Sequence, residues 1–318
     1  MRILITGATG FAGSHLSEFL AGNTDAEIYG LDLANETNLP IKLVSCDLMD
    51  KQAVFACISE VRPDYIFHLA AIASVADAWK NPEKVLTNNV ICQLNILQAL
   101  AEHNLKPRVL VISTGEAYGA VDKDDLPIDE QTKLKPNNPY SVSKVTQEFL
   151  GRQYFESYNI PVIIARAFNH SGPRQRGDFV VPAFTSQLVE IEQGRREPVM
   201  YVGNLEAERD FLDVRDVVRA YWLLLKEGKG GEVYNVCSGK TVKIQKVLDI
   251  LLANSSKEIE VKQDKARMRP SDTPVVVGNN AKLREATGWQ PEINFEQTLI
   301  DTLEYLRVAS SSLRVQNI

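Results

Sequence analysis

MRILITGATGFAG, residues 1–13, is the stretch whose reading decides the fold. Residues 2–6 form an apolar run of strand length that stops at Gly7. Gly10 and Gly13 follow at intervals of three, and then Leu16, Phe19 and Leu20 recur with helical spacing. Strand, glycine turn and helix in immediate succession is the context that a dinucleotide fingerprint requires. Each glycine has its own reason. Gly7 lets the chain turn sharply, Gly10 lets backbone approach a pyrophosphate, and Gly13 lets helix and strand pack closely. The helix start supplies N–H groups and a positive dipole end for phosphates, with Thr9, Phe11 and Ala12 completing the loop around them. A G-x-x-G-x-x-G spacing also occurs in ordinary strand–turn–helix units, so the downstream residues must support it.

They do so in order. Residues 27–31 read as a second strand ending at Asp32, nineteen residues past Gly13, where this fold carries an acidic ribose ligand. A carboxylate there accepts bonds from both adenosine ribose hydroxyls and repels a 2′-phosphate. Leu33-Ala34-Asn35 then offers no basic residue. NAD(H) is therefore expected in preference to NADP(H). Residues 41–45 read as a third strand, followed by Asp47-Leu48, placed to hold an adenine edge. Asp47 is equally suited to cap the next helix, as is Asp50. Residues 65–69 read as a fourth strand, and the small residues after Leu69, Ala70 and Ala71, suit close approach of a cofactor. His68 is expected to pack beneath the sheet. A long helix is predicted over 82–102, a fifth strand over 109–112 running into Ser113-Thr114-Gly115-Glu116, and a sixth over 162–167. Alternating strands and helices imply an α/β fold with a parallel sheet and ligands at the carboxyl ends of the strands. That places Gly7, Asp32, Ala70, Ala71 and Ser113-Thr114 on one rim.

After a polar loop, PYSVSK at 139–144 opens a helix predicted to run to about residue 158. Tyr140 and Lys144 are four apart, so they share one helical face, about 6 Å apart along the axis. Bringing a tyrosine from its usual pKa of about 10 to near 7 takes about 4 kcal/mol, and a nearby ammonium is one source. Lys144 is thus expected to depress Tyr140, making it a proton donor or acceptor at a carbinol or carbonyl carbon. Y-x-x-x-K pairs are common on solvated helix faces. This one follows a dinucleotide half and a Ser-Thr strand end, which makes it specific.

Composition narrows the field further. The chain has 318 residues, 24% charged and 44% hydrophobic, with a net charge of −6 from 35 Lys+Arg against 41 Asp+Glu. This argues against a nucleic-acid surface. The four cysteines (Cys46, Cys57, Cys92, Cys237) form no CxxC pair and are expected to be reduced, in a cytoplasmic protein. With a strand read from residue 2 no signal peptide is expected, and the apolar runs fall short of the ~20 residues of a membrane span. No metal site is expected.

Gly7-x-x-Gly10-x-x-Gly13, Asp32, Ser113-Thr114, Tyr140 and Lys144 together resemble the extended short-chain dehydrogenases/reductases that act on nucleotide sugars. The resemblance implies a Rossmann-type doubly wound parallel sheet with helices on both faces, plus a smaller C-terminal α/β substrate domain. The division implied is 1–165 for the dinucleotide and 166–318 mainly for the substrate, the two interleaved, with the sheet shared with parts of 205–240. It further implies cofactor contacts at Asn89 and Ala167 and at the Lys144 amine, which reaches the nicotinamide ribose. Substrate contacts are implied at Ser74, Asn169, Val180, Asn204, Arg209, Arg269 and Asp272. Of these, Arg209 and Arg269 would face the diphosphate, where a planar fork suits bidentate recognition. In plainer terms Asn169 is a turn residue before Gly172-Pro173, and Arg267 and Arg269 are a surface charge pair.

FNHSGP (168–173), GNLEAERDFLDVRD (203–216), VYNVCSG (233–239), ARMRPSD (266–272) and TGWQP (287–291) resemble the branch handling GDP-linked 4-keto-6-deoxy sugars, over nearly the whole chain. The implied reaction is reduction of the C4 ketone, with Tyr140 giving a proton to O4, Thr114 bonding O4, and Lys144 stabilising the charge states of Tyr140 and orienting the cofactor. Glu116 stands where the 4,6-dehydratases of the family carry the base for the C5 proton. Dehydration or epimerisation with a recycled cofactor therefore remains open. Against it, Gly115 replaces one acid of the dTDP-glucose dehydratase pair, and Phe11-Ala12 replace the Gln-Asp of the mannose dehydratases. Relatives that only sense redox state usually lose the Tyr–Lys pair, which is intact here. Helices 82–102 and 140–158 are expected to pack against their copies in a homodimer.

Overall fold

In the computed structural model, residues 1–268 and 273–315 are described. In chain order the first half runs β1 (Arg2–Thr6), α1 (Phe11–Asn23), β2 (Glu27–Asp32), β3 (Lys42–Ser45), α2 (Lys51–Val61), β4 (Tyr65–His68), α3 (Val75–Lys80), α4 (Pro82–Glu102), β5 (Arg108–Thr114), α5 (Pro139–Tyr158) and β6 (Val162–Ala167). The second half runs β7 (Asn169–Ser171), α6 (Val180–Glu192), β8 (Val199–Val202), β9 (Glu208–Asp213), α7 (Val214–Glu227), β10 (Val233–Val236), β11 (Thr241–Lys243), α8 (Ile244–Ala253), β12 (Glu260–Gln263), β13 (Val275–Val276), α9 (Ala281–Thr287) and α10 (Phe295–Val315).

Seven strands pair in parallel in the order β10-β6-β5-β4-β1-β2-β3. The chain reverses its direction of build-up between β1 and β4, and a crevice opens there at the carboxyl ends of the strands. Both faces of the sheet are covered, so its strands are apolar on both sides. Within β1, Ile3 and Ile5 join one core with Leu16 and Leu20 of α1 and Val217 and Leu224 of α7. Leu4, pointing the other way, joins Val54 and Ile58 of α2, Leu97 and Leu100 of α4 and Tyr154 of α5. Leu283 and Trp289, late in the chain, belong to the first of these cores, and Trp289 Nε1 donates to the Asp216 carbonyl of α7 at 3.0 Å. The expected doubly wound sheet with helices on both faces is thus present.

The smaller part of the structure has its own core. Val181, Phe184 and Leu188 of α6 pack with Val247, Leu248 and Leu251 of α8 and with Leu299 and Leu303 of α10. Over it lies a small sheet, β11-β9-β13 with β7 alongside β9, and the separate pair β12-β8. None of these short strands is foreseen in the sequence, because runs of two to six residues with mixed polarity carry no clear period. Among the described residues, no helix is long and apolar enough to cross a membrane.

The glycine turn shows why its residues are what they are. Gly7 has φ +68°, and a Cβ there would sit 2.9 Å from the Ala70 Cα, so the loop after β4 can pass close by. A Cβ on Gly13 would lie 2.1 Å from the Gly7 carbonyl oxygen. Gly13→Ala is therefore expected to lower stability by about 1–3 kcal/mol through overpacking, read as a shifted urea midpoint at unchanged slope.

Candidate active site

The N-cap of α1 is Gly10, with no side-chain cap, so the first-turn N–H groups face the crevice with no side-chain partner at that end. That cradle suits a pyrophosphate. Asp32 ends β2 beside it. Its Oδ2 accepts from the Thr9 N–H at 2.9 Å and its Oδ1 from Leu33 N–H at 2.8 Å. The carboxylate therefore ties the glycine loop to β2 and keeps lone pairs for further donors. A cavity of about 300 Å³ adjoins the loop, with Thr9, Gly10 and Phe11 on one side and Thr37, Asn38 and Leu39 on the other. Phe11 stacks on His170 at 5.9 Å between ring centroids, so the loop also touches the second half of the chain. Gly13, and Ala12 beside it, lie in the first turn of α1.

Of the two acids after β3, Asp50 caps α2, accepting from the Gln52 and Ala53 N–H groups. Asp47 is exposed and accepts from Met49 N–H at 2.9 Å within its own turn. Leu48 turns its side chain into the core under the sheet. At the end of β4, the Thr6 hydroxyl accepts from Ala70 N–H at 3.2 Å and bonds His68 Nδ1 at 2.9 Å. His68 is buried, and loss of water pushes its pKa to about 3, so it stays neutral and packs as expected. Leu69, Ala70 and Ala71 are half-buried on the rim. Asn89 accepts from Ile72 N–H at 2.8 Å and donates to Ile72 O at 3.1 Å and Ser143 Oγ at 2.9 Å. It also accepts from the Asn88 amide at 3.2 Å, which uses its full bonding capacity. Asn89 thus braces the 70–72 segment against α5 and has no bond left for a cofactor. Ser74 is the N-cap of α3, accepting from Asp77 N–H at 3.2 Å.

The reacting pair stands at the start of α5. Asn138 and Ser141 form a capping box and Pro139 occupies the first turn, which sets where the helix begins. Tyr140 then falls at the rim, while Lys144, one turn on, is 3% exposed and donates to the Ile112 carbonyl of β5 at 2.9 Å. Thr114, the last residue of β5, lies close enough to the Tyr140 phenol to act on its proton. Thr114, Tyr140 and Lys144 therefore meet at one strand end, with Ala167, the last residue of β6, paired to Thr114 in register. Glu116 follows on a single 3₁₀ turn, its N–H donating to Thr114 Oγ1 at 3.2 Å and its carboxylate accepting from Asn138 Nδ2 at 3.3 Å. A Cβ at Gly115 would lie 3.1 Å from the Phe168 ring, a tight approach.

The expected depression of Tyr140 by Lys144 is not what the structure shows. Loss of hydration pushes Tyr140 up to about 12; the bond from Thr114 opposes this and the Glu116 carboxylate adds to it. Burial lowers Lys144 to about 7, with Glu148 pulling the other way. Helical spacing brings the two side chains to one face. It does not reveal that the amine donates to the Ile112 carbonyl, nor that Glu116 lies beside the phenol.

Of the substrate-side residues, Asn169 and Arg209 lie on the small sheet. Asn169 is exposed at the start of β7, next to β9, and its amide donates to Asp210 O at 3.4 Å. Arg209 on β9 donates to Glu208 O at 2.9 Å and to Pro274 O at 3.4 Å. Val180 opens α6, and Asn204 accepts from Glu206 N–H at 3.0 Å in the loop after β8. Arg269 and Asp272 lie outside the described residues. Asp210, unremarked in the sequence reading, anchors this sheet to the rim of the large one. Its carboxylate accepts from Ser238 N–H and Oγ–H at 2.7 Å each, Gly239 N–H at 3.0 Å and Gly278 N–H at 3.2 Å.

The sequence model of the GDP-mannose 4,6 dehydratase family matches residues 4–302. The chain belongs to this family. It is 37% identical over 302 residues to the GDP-6-deoxy-D-mannose reductase of Pseudomonas aeruginosa, covering 94% of each chain. It superimposes with TM-score 0.87 on the structure of RMD from Pseudomonas aeruginosa complexed with NADPH, at 36% identity over 97% of this chain and 99% of that one. A Thermus thermophilus UDP-glucose 4-epimerase in complex with NAD matches with TM-score 0.85, 30% identity and coverage of 96% and 99%. Members of the fold thus accommodate either nicotinamide dinucleotide, and the expected preference for NAD(H) is not settled by these likenesses.

One buried pair at this family member's site escaped the sequence reading. Arg166 of β6 forms a two-pronged bond to Glu148 of α5, Nε to Oε1 at 2.9 Å and Nη2 to Oε2 at 2.6 Å. A signal was present, since an arginine inside the apolar run VIIARA requires a buried acid. The buried Lys144 also couples stability to pH. Its folded-state pKa is lowered to about 7, below the 10.5 of an unfolded lysine. Between these values the unfolded chain binds more protons, so stability rises with pH, by up to about 1.4 kcal/mol per unit. Lys144→Met is therefore expected to raise urea stability more at pH 6 than at pH 9.5; an equal effect at both would contradict it.

Proposed function

We propose that the protein reduces the C4 ketone of GDP-4-keto-6-deoxy-D-mannose to give GDP-D-rhamnose. The observation that carries this reading is the convergence of Thr114, Tyr140 and Lys144 at the end of β5 beside the glycine loop. It is supported by likeness to a GDP-6-deoxy-D-mannose reductase along 94% of the chain. A reduced nicotinamide dinucleotide, when bound, supplies the hydride. The uncapped turn at Gly10 holds its pyrophosphate and Asp32 its ribose, with Thr9, Phe11, Ala12 and the 69–71 segment alongside. The carboxylate at Asp32 favours NADH, although a relative is known with NADPH. In this reading residues 1–165 serve the cofactor and 166–318 mainly the sugar nucleotide. Arg209 grips the diphosphate, and Ser74, Asn169, Val180, Asn204, Arg269 and Asp272 complete the substrate side.

Tyr140 is the acid. With its pKa raised to about 12, the phenol is fully protonated at neutral pH and able to donate to O4 as negative charge develops there. Thr114 holds O4 in place. Lys144, anchored on Ile112 O, stabilises the phenolate left behind. Such assistance contributes roughly 10²–10⁴-fold.

A second reading, 4,6-dehydration of GDP-mannose, rests on Glu116, a carboxylate close enough to Tyr140 to act on its charge. One assay separates the two. GDP-mannose and its 4-keto-6-deoxy derivative are incubated separately, with no reduced cofactor, with NADH and with NADPH. Reduction of only the keto sugar, with cofactor consumed one for one, supports the reductase; conversion of GDP-mannose without added reductant supports the dehydratase. In the active direction Tyr140→Phe is expected to lose 10²–10⁴-fold in kcat with cofactor affinity retained. Near-normal turnover would remove Tyr140 from the role.

The protein is also read as a cytoplasmic homodimer. On α5, Val142 (40% exposed) and Phe149 (63%) face outward seven residues apart, with Trp79 of α3 (53%) exposed as well. Light scattering is expected to show a dimer at micromolar concentration and a monomer for Phe149→Glu.

A further inference from the structure

Glu148 has no part in the chemistry above, yet every reacting group leads to it. It lies one turn beyond Lys144 on the buried face of α5, 4% exposed. The Ser113 hydroxyl donates to its Oε1. Ser113 sits between Ile112, whose carbonyl holds the Lys144 amine, and Thr114, which lies beside Tyr140. On the far side the carboxylate takes the fork of Arg166, which pairs with Ser113 in register across β5 and β6. Arg166 is held in turn by the Tyr118 hydroxyl at 2.9 Å, and Tyr118 donates to Asn235 of β10 at 2.7 Å.

We propose that Glu148 is a positioning residue of this site: through Ser113 it fixes the strand end that holds the Lys144 amine and bears Thr114, and its charge favours the cationic form of that amine beside Tyr140. This rests on the reading of Tyr140 and Lys144 as the reacting pair. The other groups around the amine do not supply that charge. His68 from β4 is neutral, α4 contributes the uncharged Asn89 and Gln93, and Asp77 of α3 pairs outward with Arg176 at 3.7 Å. Glu116, from the turn after β5, bonds Asn138, Tyr140 is a protonated phenol, and Arg166 acts on the amine only in the opposite sense. Burial lowers the Lys144 pKa, and Glu148 is the group that raises it.

The test uses Glu148→Gln and, because a lone buried arginine can prevent folding, Glu148→Gln/Arg166→Gln. The Lys144 ε-carbon is titrated by ¹³C NMR in the free protein, assigned with Lys144→Met, and kcat is followed against pH. Glu148 loss is expected to move the NMR midpoint down by about one pH unit or more. The alkaline limb of kcat moves with it, and cofactor affinity stays within about threefold. A folded Glu148→Gln variant whose midpoint and limb match the unaltered protein, or a folded double variant whose midpoint and limb match those of Arg166→Gln, overturns the proposal and leaves Glu148 a packing group. If the unaltered protein reduces no keto sugar, the function reading fails, and the NMR midpoint still judges Glu148.

Discussion

A lysine amine out of reach of water is the constraint around which this site is built. Lys144 is useful beside Tyr140 only if it keeps a charge, and burial works against that charge. The Ile112 carbonyl and the Glu148 carboxylate offset the cost. The carboxylate then needs its own compensation, which Arg166 and Ser113 provide, and Arg166 leans on Tyr118 and through it on Asn235. One buried cation at the rim thereby ties α5, β5, β6 and β10 together. Breaking such a buried pair on one side typically costs about 3–5 kcal/mol, so the network is structural as well as electrostatic.

The cofactor side depends on steric closeness. Gly7 and Gly13 are tight enough that a single added carbon would collide with backbone, and the reward is a short path from β1 into α1 with N–H groups at its mouth. Asp32 then fastens the loop by its Thr9 bond, and Phe11 reaches across to His170. On the sugar side, a buried carboxylate helps to join the small sheet to the large one. Asp210 gathers four donors from the ends of β10 and the segment after β13, so the strand bearing Arg209 is held at the rim where the reacting pair lies. Burial pushes Asp210 up to about 6 while those donors pull it down.

Much of this was legible. The glycine spacing, the acid after the second strand, the strand-end Ser-Thr and the Tyr–Lys spacing are local patterns, and each landed on the rim. Helices over 82–102 and 139–158 were readable because long amphipathic periods and a Pro start are strong signals. Asn89 and Leu48 came out differently from expectation. An amide's partners and a leucine's facing are set by neighbours far along the chain, Ser143 for the first and the α2–α4 core for the second. The small sheet of β7, β9, β11 and β13 was not legible, since its strands are too short for periodicity.

The sequence by itself determined the doubly wound α/β plan, the glycine cradle and the presence of a Tyr–Lys pair on one helical face. These follow from local spacing and the steric needs of backbone. Only the tertiary structure decided the protonation of that pair. Tyr140 is pushed up, not down, because burial strips water from the phenol and the Glu116 carboxylate is folded in beside it, while burial lowers Lys144 and Glu148 pulls it the other way. Proton affinity depends on which charges and how much water surround a group, and for Lys144 that is set by residues from separate strands and a helix turn, brought together by the sheet.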